Sequence, residues 1–139
     1  MPRASYVGVV RMLWAAAHEN DVRALVSLTA RDVEWRPTAV VAPGLRGRDA
    51  LRDYLDGLRA AGRLVDAHSY SFEAVGGCVI VSGVLRVRRD DGSVEAIQRW
   101  RVYRVAGGKI VAAGSHASRG DALRDARDQP ARGHEATGR

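Results

Sequence analysis

The first part of the chain repeats its apolar positions at the spacing of α-helices. An initial stripe on one helix face consists of Val9, Val10, Leu13, Trp14 and Ala17. Ser5 is placed to cap this helix, and Asn20 or Asp21 is placed to cap a short second one. A third stripe, in "RDALRDYLDGLRAAG", ends at Gly62, a residue type that stops helices. The pattern therefore predicts three helices before the strands begin.

From residue 69 the apolar positions follow the two-residue period of β-strands. The segments with this period are "YSFEAV", "CVIVSGVLRVRR", "VEAIQRWRVYRV" and "KIVAAGSHAS". Asp91-Gly92 between the second and third segments is the usual signal of a tight hairpin. One earlier strand, "DVEWRP", closes at Pro37 and leads into the loop "TAVVAPGLRG". Helices followed by antiparallel hairpins predict an α+β domain, with a curved sheet and helices closing one side of it.

The composition fits a single globular domain. Of 139 residues, 46% are hydrophobic, which is the ordinary fraction for a folded soluble chain. We expect the domain to span residues 1–125. The tail, residues 126–139, shows no apolar face to bury and is predicted to be disordered.

The net charge of +6 raises the question of nucleic-acid binding. Arginine supplies 21 of the 22 basic residues, but they alternate with acids, as in "RGRDALRDYLDGLR". This alternation is typical of a solvated helix face, and no compact basic cluster with interleaved aromatic residues stands out. Nor does any apolar run approach the roughly 20 residues needed to cross a bilayer. Neither nucleic acid nor a membrane is therefore an expected partner.

Cysteine and histidine usage argues against several kinds of chemistry. Cys78 lies in the apolar run "CVIVSGV", which favours a small buried side chain. It is the one cysteine of the sequence, so no intrachain disulfide can form. A cytoplasmic location is the matching expectation. No two histidines have metal-ligand spacing, and neither a Gly-x-Ser-x-Gly elbow nor a dinucleotide fingerprint occurs. We predict no metal site and no cofactor.

Three pieces of the chain carry a family resemblance: the strand with Glu34 and Trp35, the helix start "GLRGRD", and the turn "GGKIV" with its following strand and "AL" ending. With them, residues 5–125 resemble the SnoaL-like branch of the nuclear transport factor 2-like superfamily, which also contains ketosteroid isomerases, limonene epoxide hydrolase and scytalone dehydratase. The resemblance implies a cone-shaped, curved antiparallel or mixed sheet with three N-terminal helices, and a homodimer through the sheet. It specifies the reaction poorly, because this fold hosts many unrelated activities.

The catalytic groups of those relatives are replaced in this chain. The ketosteroid isomerase base, an Asp before a Pro, falls on Arg36 before Pro37, and arginine stays protonated in proteins. The oxyanion-stabilising Tyr and the protonated Asp of the isomerases fall on Leu13 and Arg101. The acidic position common near the "AL" ending falls on Ser118. The resemblance therefore implies an activity other than that of a standard ketosteroid isomerase.

Two residues are candidates for moving a proton. Glu34 is one of few acids inside a strand, and it is either a general base or an ion-pair partner of Arg36 or Arg99. His116 lies near the mouth of the cone in the family pattern. The candidate ligand-binding residues are Trp14, Trp35, Arg36, Tyr54, Arg99, Arg101 and Tyr103. Guanidinium groups make paired hydrogen bonds to carboxylates, so these arginines indicate a ligand with an acidic or enolic group.

Alternation along the strand of residues 94–105 leaves its register open. In one register Arg99, Arg101 and Tyr103 point into the cone together with Glu34 and Arg36. In the other, Gln98, Trp100 and Val102 point inward and the arginines lie on the outer face.

Two functions fit these features. In the first, the cone binds a small hydrophobic, acidic or enolic molecule, either sequestering it or acting on it as a cofactor-independent isomerase, cyclase or lyase. In the second, the chain is a non-catalytic dimeric interaction module with a vestigial pocket. The first requires a cavity of about 300 Å³ or more. The second predicts a cone filled by Trp14, Trp35, Tyr54 and Trp100.

Overall fold

Three helices form the first layer of the structure, as the apolar spacing predicts. The computed structural model describes the backbone of residues 3–37 and 44–137 and the side chains of residues 6–37 and 44–128. The helices are α1 (Arg3–His18), α2 (Val22–Ser27) and α3 (Arg48–Ala60). The carboxylate of Asp21 caps α2 by accepting the backbone N–H of Ala24 at 3.1 Å, whereas Ser5 lies inside α1. Residues 38–43 of the predicted loop lie outside the described residues.

The described residues also form a six-stranded mixed sheet. Its strands are β1 (Thr29–Trp35), β2 (Leu45–Arg46), β3 (Leu64–Val75), β4 (Cys78–Arg88), β5 (Val94–Ala106) and β6 (Lys109–His116). Their order across the sheet is β2-β1-β6-β5-β4-β3, and β1 and β6 form the one parallel pair among them. The α+β class with a curved mixed sheet is therefore confirmed.

β3 begins earlier than its apolar pattern predicts. It starts at Leu64, which pairs with Val87, and not near residue 69. The added segment includes Asp66 and His68, which interrupt the apolar alternation. Polar residues are tolerated there because β3 is an edge strand of the sheet.

Side chains on β5 alternate between the two faces of the sheet. Arg101 and Tyr103 face α1–α3, whereas Trp100 and Val102 belong to a cluster on the opposite face. The structure therefore has the register in which the face that carries Arg101 and Tyr103 is directed into the cone. We refer to the face toward α1–α3 as the inner face and to the other as the outer face.

A fourth helix, α4 (Arg119–Thr137), covers part of the outer face. The hydroxyl of Ser118 accepts the N–H of Asp121 at 3.1 Å where the helix begins. The buried contacts of α4 are made by Ala122 and Ala126 against a cluster that contains Cys78. The helix continues through the segment predicted to be disordered as far as Thr137, and residues 138–139 lie outside the described part. Two alanines supply the fully buried part of this contact and Leu123 is partly buried beside them, so the sequence shows no stripe of large apolar residues here.

Candidate functional site

A cavity of about 740 Å³ lies between the inner face of the sheet and α1–α3. Its lining is mostly apolar and comes from all three helices and from β1, β3, β4 and β5. The apolar lining residues are Leu13, Trp14, Ala17, Leu25, Trp35, Pro37, Leu55, Leu58, Leu64, Ala67, Leu85, Val87 and Ile97. The volume is that of a site for an organic molecule of ordinary ligand size. The cone is therefore hollow.

Arg101 places a positive charge in this apolar wall. The residue is only 2% exposed. Its Nη1 donates to the backbone carbonyl of Arg36 at 2.8 Å, and its Nε donates to the hydroxyl of Tyr103 at 3.1 Å. The guanidinium carbon also lies 5.0 Å from the centroid of the Trp35 ring and 5.5 Å from that of the Tyr103 ring. These contacts hold a planar multi-donor cation in one orientation at the cavity wall.

Two tyrosines add hydroxyl groups to the same wall. Tyr103 is 2% exposed, and its ring lies 6.1 Å from that of Trp35. Tyr54, on α3, is half-buried. Burial raises the pKa of the Tyr54 hydroxyl above its ordinary value, and the positive charge of Arg101 opposes part of that rise. The Tyr54 phenol is therefore a neutral donor near the guanidinium at ordinary pH.

Trp14 reaches the cavity because Gly83 leaves room for it. A Cβ at position 83 would lie 2.5 Å from Cη2 of Trp14 and 2.8 Å from the carbonyl oxygen of His68. No side chain fits there without movement, so the indole lies edge-on against the β4 backbone. A glycine inside a strand often marks such a close approach, and the "VSGVL" segment carried that signal.

Charged residues line the end of the cavity formed by the β4–β5 hairpin. They are Arg63, Arg88, Arg89, Asp90, Asp91 and Glu95. Arg63 forms an ion pair with Asp90, and Arg89 forms one with Glu95 at 2.8 Å. Glu95 precedes Arg101 by six residues, which corresponds to about 20 Å along β5. The acidic lining residues therefore lie far along the strand from the buried guanidinium. The sequence predicts this hairpin from Asp91-Gly92 but gives no sign that it belongs to a site, because its charges are those of an ordinary exposed turn.

Alternation along β1 sends Glu34 away from the cavity. Val33 and Trp35 are buried, whereas Glu34 and Arg36 are exposed. The Glu34 carboxylate, 62% exposed, forms an ion pair with Arg46 on β2. Glu34 thus has an arginine partner, as one interpretation of the sequence expected. That partner is Arg46 and not Arg36 or Arg99. Arg36 contributes its carbonyl oxygen to Arg101 and not its own side chain to the lining.

His116 and Arg99 also lie outside the lining of the described cavity. The Nε2 of His116 lies 2.8 Å from Oδ2 of Asp125, which joins β6 to α4. Arg99 donates from Nη1 to the carbonyl of Gln98 at 2.9 Å. Of the site residues predicted from the sequence, the structure brings together Trp14, Trp35, Tyr54, Arg101 and Tyr103.

The described residues form neither a cluster of metal ligands nor a membrane-spanning helix. No group of three or more His, Cys, Asp or Glu side chains there is arranged to hold a metal ion. No helix there combines the length and apolar character that crossing a membrane requires.

Solved structures share this fold at low sequence identity. A nuclear transport factor 2-like protein of unknown function from Burkholderia pseudomallei is 20% identical, with a TM-score of 0.70 over 86% of this chain and 95% of that one. TerC, co-crystallised with polyporic acid, is 16% identical, with a TM-score of 0.70 over 88% and 98%. A candidate polyketide cyclase from Xanthomonas campestris pv. campestris is 18% identical, with a TM-score of 0.68 over 89% and 98%. At these identities the likeness shows the fold alone.

A family model provides the classification. No curated protein matches the sequence. The model of the SnoaL-like domain matches residues 10–113, which is most of the chain and runs from the second half of α1 to most of β6. The resemblance seen in the sequence is thereby confirmed, and the chain belongs to the SnoaL-like domain family.

Proposed function

We propose that this domain binds a small hydrophobic molecule with an acidic or enolic group in the cavity between its helices and its sheet. The observation that carries the proposal is the buried guanidinium of Arg101 in a mostly apolar wall. Arginine keeps its positive charge in proteins, and apolar surroundings strengthen the attraction between that charge and an anionic group. An anionic ligand group beside it accepts paired, charge-assisted hydrogen bonds.

The distribution of charge along the cavity supports this orientation of the ligand. The carboxylates in the described lining, Asp90, Asp91 and Glu95, all belong to the β4–β5 hairpin. These carboxylates are balanced at the hairpin end by Arg63, Arg88 and Arg89, so the acidic group of a ligand is attracted toward the positive charge of Arg101 and is left without a competing carboxylate on that part of the described lining. The apolar walls between the two ends accept the hydrophobic body of the ligand.

An interaction module with a vestigial pocket is less well supported by the geometry. That alternative predicts a cone filled by aromatic side chains, whereas the structure has a cavity of about 740 Å³. Trp100, one of the four residues expected to fill the cone, packs on the outer face near α4. TerC, which shares the fold, was co-crystallised with polyporic acid, and this supports an organic ligand for the present chain as well.

Binding is better supported than turnover. A cofactor-independent isomerisation, cyclisation or elimination requires a group that moves a proton at the ligand. Glu34 and His116, the candidates from the sequence, do not line the cavity. If turnover occurs, Arg101 stabilises the developing oxyanion, and Tyr54 is the lining hydroxyl placed to assist it. Sequestration of the ligand needs none of these steps.

A thermal-shift experiment with matched ligands tests the proposal. Fluorene carboxylic acid and fluorene carboxamide differ in charge but hardly in shape. At 100 times its dissociation constant, the acid is expected to add about 2.7 kcal/mol to the free energy of unfolding and raise Tm by roughly 5–10 °C. We expect the amide to give a much smaller shift, and a panel of naphthoic acids and polyketide-like phenols to follow the acid.

Two arginine variants on the same strand separate specific binding from general charge attraction. Arg101→Gln removes the guanidinium of the cavity, and Arg99→Gln removes a guanidinium outside it. We expect Arg101→Gln to abolish the preference for acid over amide and Arg99→Gln to retain it. Flat responses to every acid, or equal responses in the two variants, contradict the proposal.

We also propose that the chain forms a homodimer through its sheet. Since α4 covers the outer face around Cys78, Ile80 and Val102, the area left for a second copy is the neighbouring part of β3–β5. Light scattering coupled to size-exclusion chromatography tests this, and a monomer mass at high concentration refutes it.

A cytoplasmic location stays a prediction, to be checked by cell fractionation.

A further inference from the structure

The face of α3 that is directed toward the sheet carries a tyrosine. Tyr54, Leu55 and Leu58 line the cavity, whereas Asp53 and Asp56 of the same helix are exposed. Residues four positions apart lie on one face of a helix, so Tyr54 and Leu58 are directed together toward the interior. The side chain of Tyr54 therefore belongs to the helix layer of the cavity wall.

The hydroxyl of Tyr54 differs from the other polar groups of the described lining. The charged side chains of the β4–β5 hairpin have ion-pair or hydrogen-bond partners, and the hydroxyl of Tyr103 accepts a hydrogen bond from Arg101. Among the described residues the indole nitrogen of Trp14 lacks a partner, but it is fully buried. The Tyr54 hydroxyl has no partner among these residues and is not fully buried. It is therefore open to a group that enters the cavity.

Arg101 acts on this hydroxyl from the opposite layer of the domain. Both residues line the same cavity, Tyr54 from α3 and Arg101 from β5. Burial raises the pKa of the Tyr54 hydroxyl, and the positive charge of Arg101 is near enough to oppose part of that rise. The phenol therefore stays neutral at ordinary pH, so that it can donate a hydrogen bond to an anion without repelling it.

Part of the donor set of Arg101 is already used by the wall of the cavity. Its Nε donates to the hydroxyl of Tyr103, and its Nη1 donates to the carbonyl oxygen of Arg36. The guanidinium keeps its charge, and an anionic group beside it has lone pairs for more than one donor. A further donor that faces the same space therefore adds to the binding of an acid.

We propose that Tyr54 is a specificity-determining residue whose hydroxyl donates a hydrogen bond to the acidic ligand group that Arg101 attracts. This inference rests on the proposed function and adds a second contact to it. Because one contact comes from α3 and the other from β5, the acidic group lies between the helix layer and the sheet. The cavity thus distinguishes an acid from a hydrocarbon of similar shape through two residues.

Two probes and one conservative variant test this contact. Fluorene carboxylic acid and fluorene share a ring system and differ by the acidic group, and Tyr54→Phe keeps the aromatic ring and removes the hydroxyl. We expect Tyr54→Phe to bind the acid about tenfold more weakly than the wild type, the effect of one hydrogen bond to a charged group. Its affinity for fluorene is expected to stay within about twofold of the wild-type value, since no hydrogen bond is lost. A merely structural role of the hydroxyl would weaken the binding of both probes.

Tyr70→Phe is the matched control. Tyr70 is 67% exposed and lies outside the described lining of the cavity, so this variant is expected to bind both probes as the wild type does. Circular dichroism must show both variants folded.

A double-mutant cycle with Arg101→Gln gives a second measurement. If both residues contact one ligand group, their effects on the affinity for the acid are not independent. We expect Tyr54→Phe to weaken acid binding by less than about threefold in the Arg101→Gln background, compared with about tenfold in the wild type. Full tenfold losses in both backgrounds would show that the two residues do not share a ligand group.

Tyrosine labelled with ¹³C at Cζ extends the test to the wild-type chain, whether or not Tyr54→Phe folds. The chain has four tyrosines, and the signal of Tyr54 is identified by elimination with Tyr6→Phe, Tyr70→Phe and Tyr103→Phe. A phenol that donates to a carboxylate has its Cζ signal moved downfield. We expect this movement with the acid and not with fluorene.

The outcomes separate this inference from the proposed function. If fluorene carboxylic acid and the related acids do not bind the wild-type chain, the proposed function fails. If the acid binds, and neither its affinity changes in Tyr54→Phe nor the Tyr54 signal responds to its carboxylate, ligand binding stands and the role of Tyr54 is overturned. Equal losses for the acid and for fluorene in Tyr54→Phe overturn it as well.

Discussion

The guanidinium of Arg101 donates a hydrogen bond at 2.8 Å to the carbonyl oxygen of Arg36, 65 residues earlier in the chain. This bond joins β5 to the end of β1 at the wall of the cavity. Because the backbone carbonyl is the acceptor, the contact depends on the path of the chain and not on the side chain of Arg36. The residue proposed to bind the ligand therefore also holds the site together.

Replacing Arg101 is expected to lower stability as well as binding. Arg101→Gln removes the donors to the Arg36 carbonyl and the Tyr103 hydroxyl, and the loss is expected to be about 1–3 kcal/mol in the free energy of unfolding. Urea denaturation without ligand measures it. Arg99→Gln is expected to change stability by less than about 0.5 kcal/mol. Equal losses in the two variants would contradict the structural role of Arg101.

Two glycine-to-alanine substitutions are expected to act in opposite directions. At Gly83 a methyl group collides with the Trp14 ring and with the His68 carbonyl, so Gly83→Ala is expected to destabilise the fold by about 1–3 kcal/mol. At Gly57, within α3, nothing lies within 4 Å of the new methyl group. Gly57→Ala is therefore expected to stabilise it by about 0.5–1 kcal/mol, since alanine favours helices.

Thermal denaturation of both variants tests this pair. A stable Gly83→Ala protein whose Trp14 indole N–H signal in the NMR spectrum does not move would show that the indole does not lie against this strand. The placement of Trp14 in the cavity wall would then be wrong.

Stability is expected to fall in acid partly through Asp66. Hydrogen bonds from Arg86, at 2.7 Å from Nε, lower the pKa of Asp66 from 3.8 to about 2. A carboxyl group with a lowered folded-state pKa contributes stability that is fully present above its unfolded value and is lost as the pH falls. The expected window is therefore from about pH 4 down to about pH 2.

The measurement is urea denaturation across that range. Asp66→Asn is expected to flatten the decline between pH 4 and pH 2, because the asparagine does not titrate. Asp53→Asn, at an exposed position of α3, controls for the loss of one negative charge. If the stability of Asp66→Asn falls as steeply as that of the wild type between pH 4 and pH 2, Asp66 does not contribute to the acid sensitivity.

Docking of α4 is expected to depend on the contact between His116 and Asp125. This contact, 2.8 Å long, is part-buried between β6 and α4, and Cys78 lies fully buried among the residues that α4 covers. His116→Ala is expected to increase the local opening of α4, so that alkylation of the Cys78 thiol accelerates about three- to tenfold. Since Cys78 is the one cysteine, the alkylation rate reports only the opening of the region around this residue.

Arg124→Ala is the matched control, because Arg124 pairs within α4 with Asp121. We expect its alkylation rate to stay at the wild-type value. Circular dichroism must show both variants folded. If Cys78 in folded His116→Ala reacts no faster than in wild type, α4 is held by its alanine contacts and not by the histidine.

The fold was largely predictable because its local signals agree with one another. The helical spacing before Gly62, the Asp91-Gly92 hairpin and the long alternating strands each point to an α+β domain, and the structure confirms it. The parallel pairing of β1 with β6 was not predictable in this way. Strands so distant in the chain share no turn that sets their register, and only the packed sheet brings them together.

The candidate site was predicted in part. Trp14, Trp35, Tyr54, Arg101 and Tyr103 do meet at one cavity. Glu34 and Arg36 were expected to join them in the register that β5 adopts, but β1 turns Val33 and Trp35 inward instead. Alternation defines which side chains share a face, and it does not say which face a neighbouring layer will cover.

By itself, the sequence determined the kinds and order of the elements, the family, and the residue types available to the cavity, because periodicity, turn residues and motifs are local properties of the chain. Tertiary structure alone decided which of those residues meet. The pairing of β1 with β6 directs Glu34 to solvent, the missing side chain at Gly83 admits Trp14, and the carbonyl of Arg36 orients Arg101. Each of these contacts joins segments far apart in the chain, and its energy exists only once the layers pack against each other.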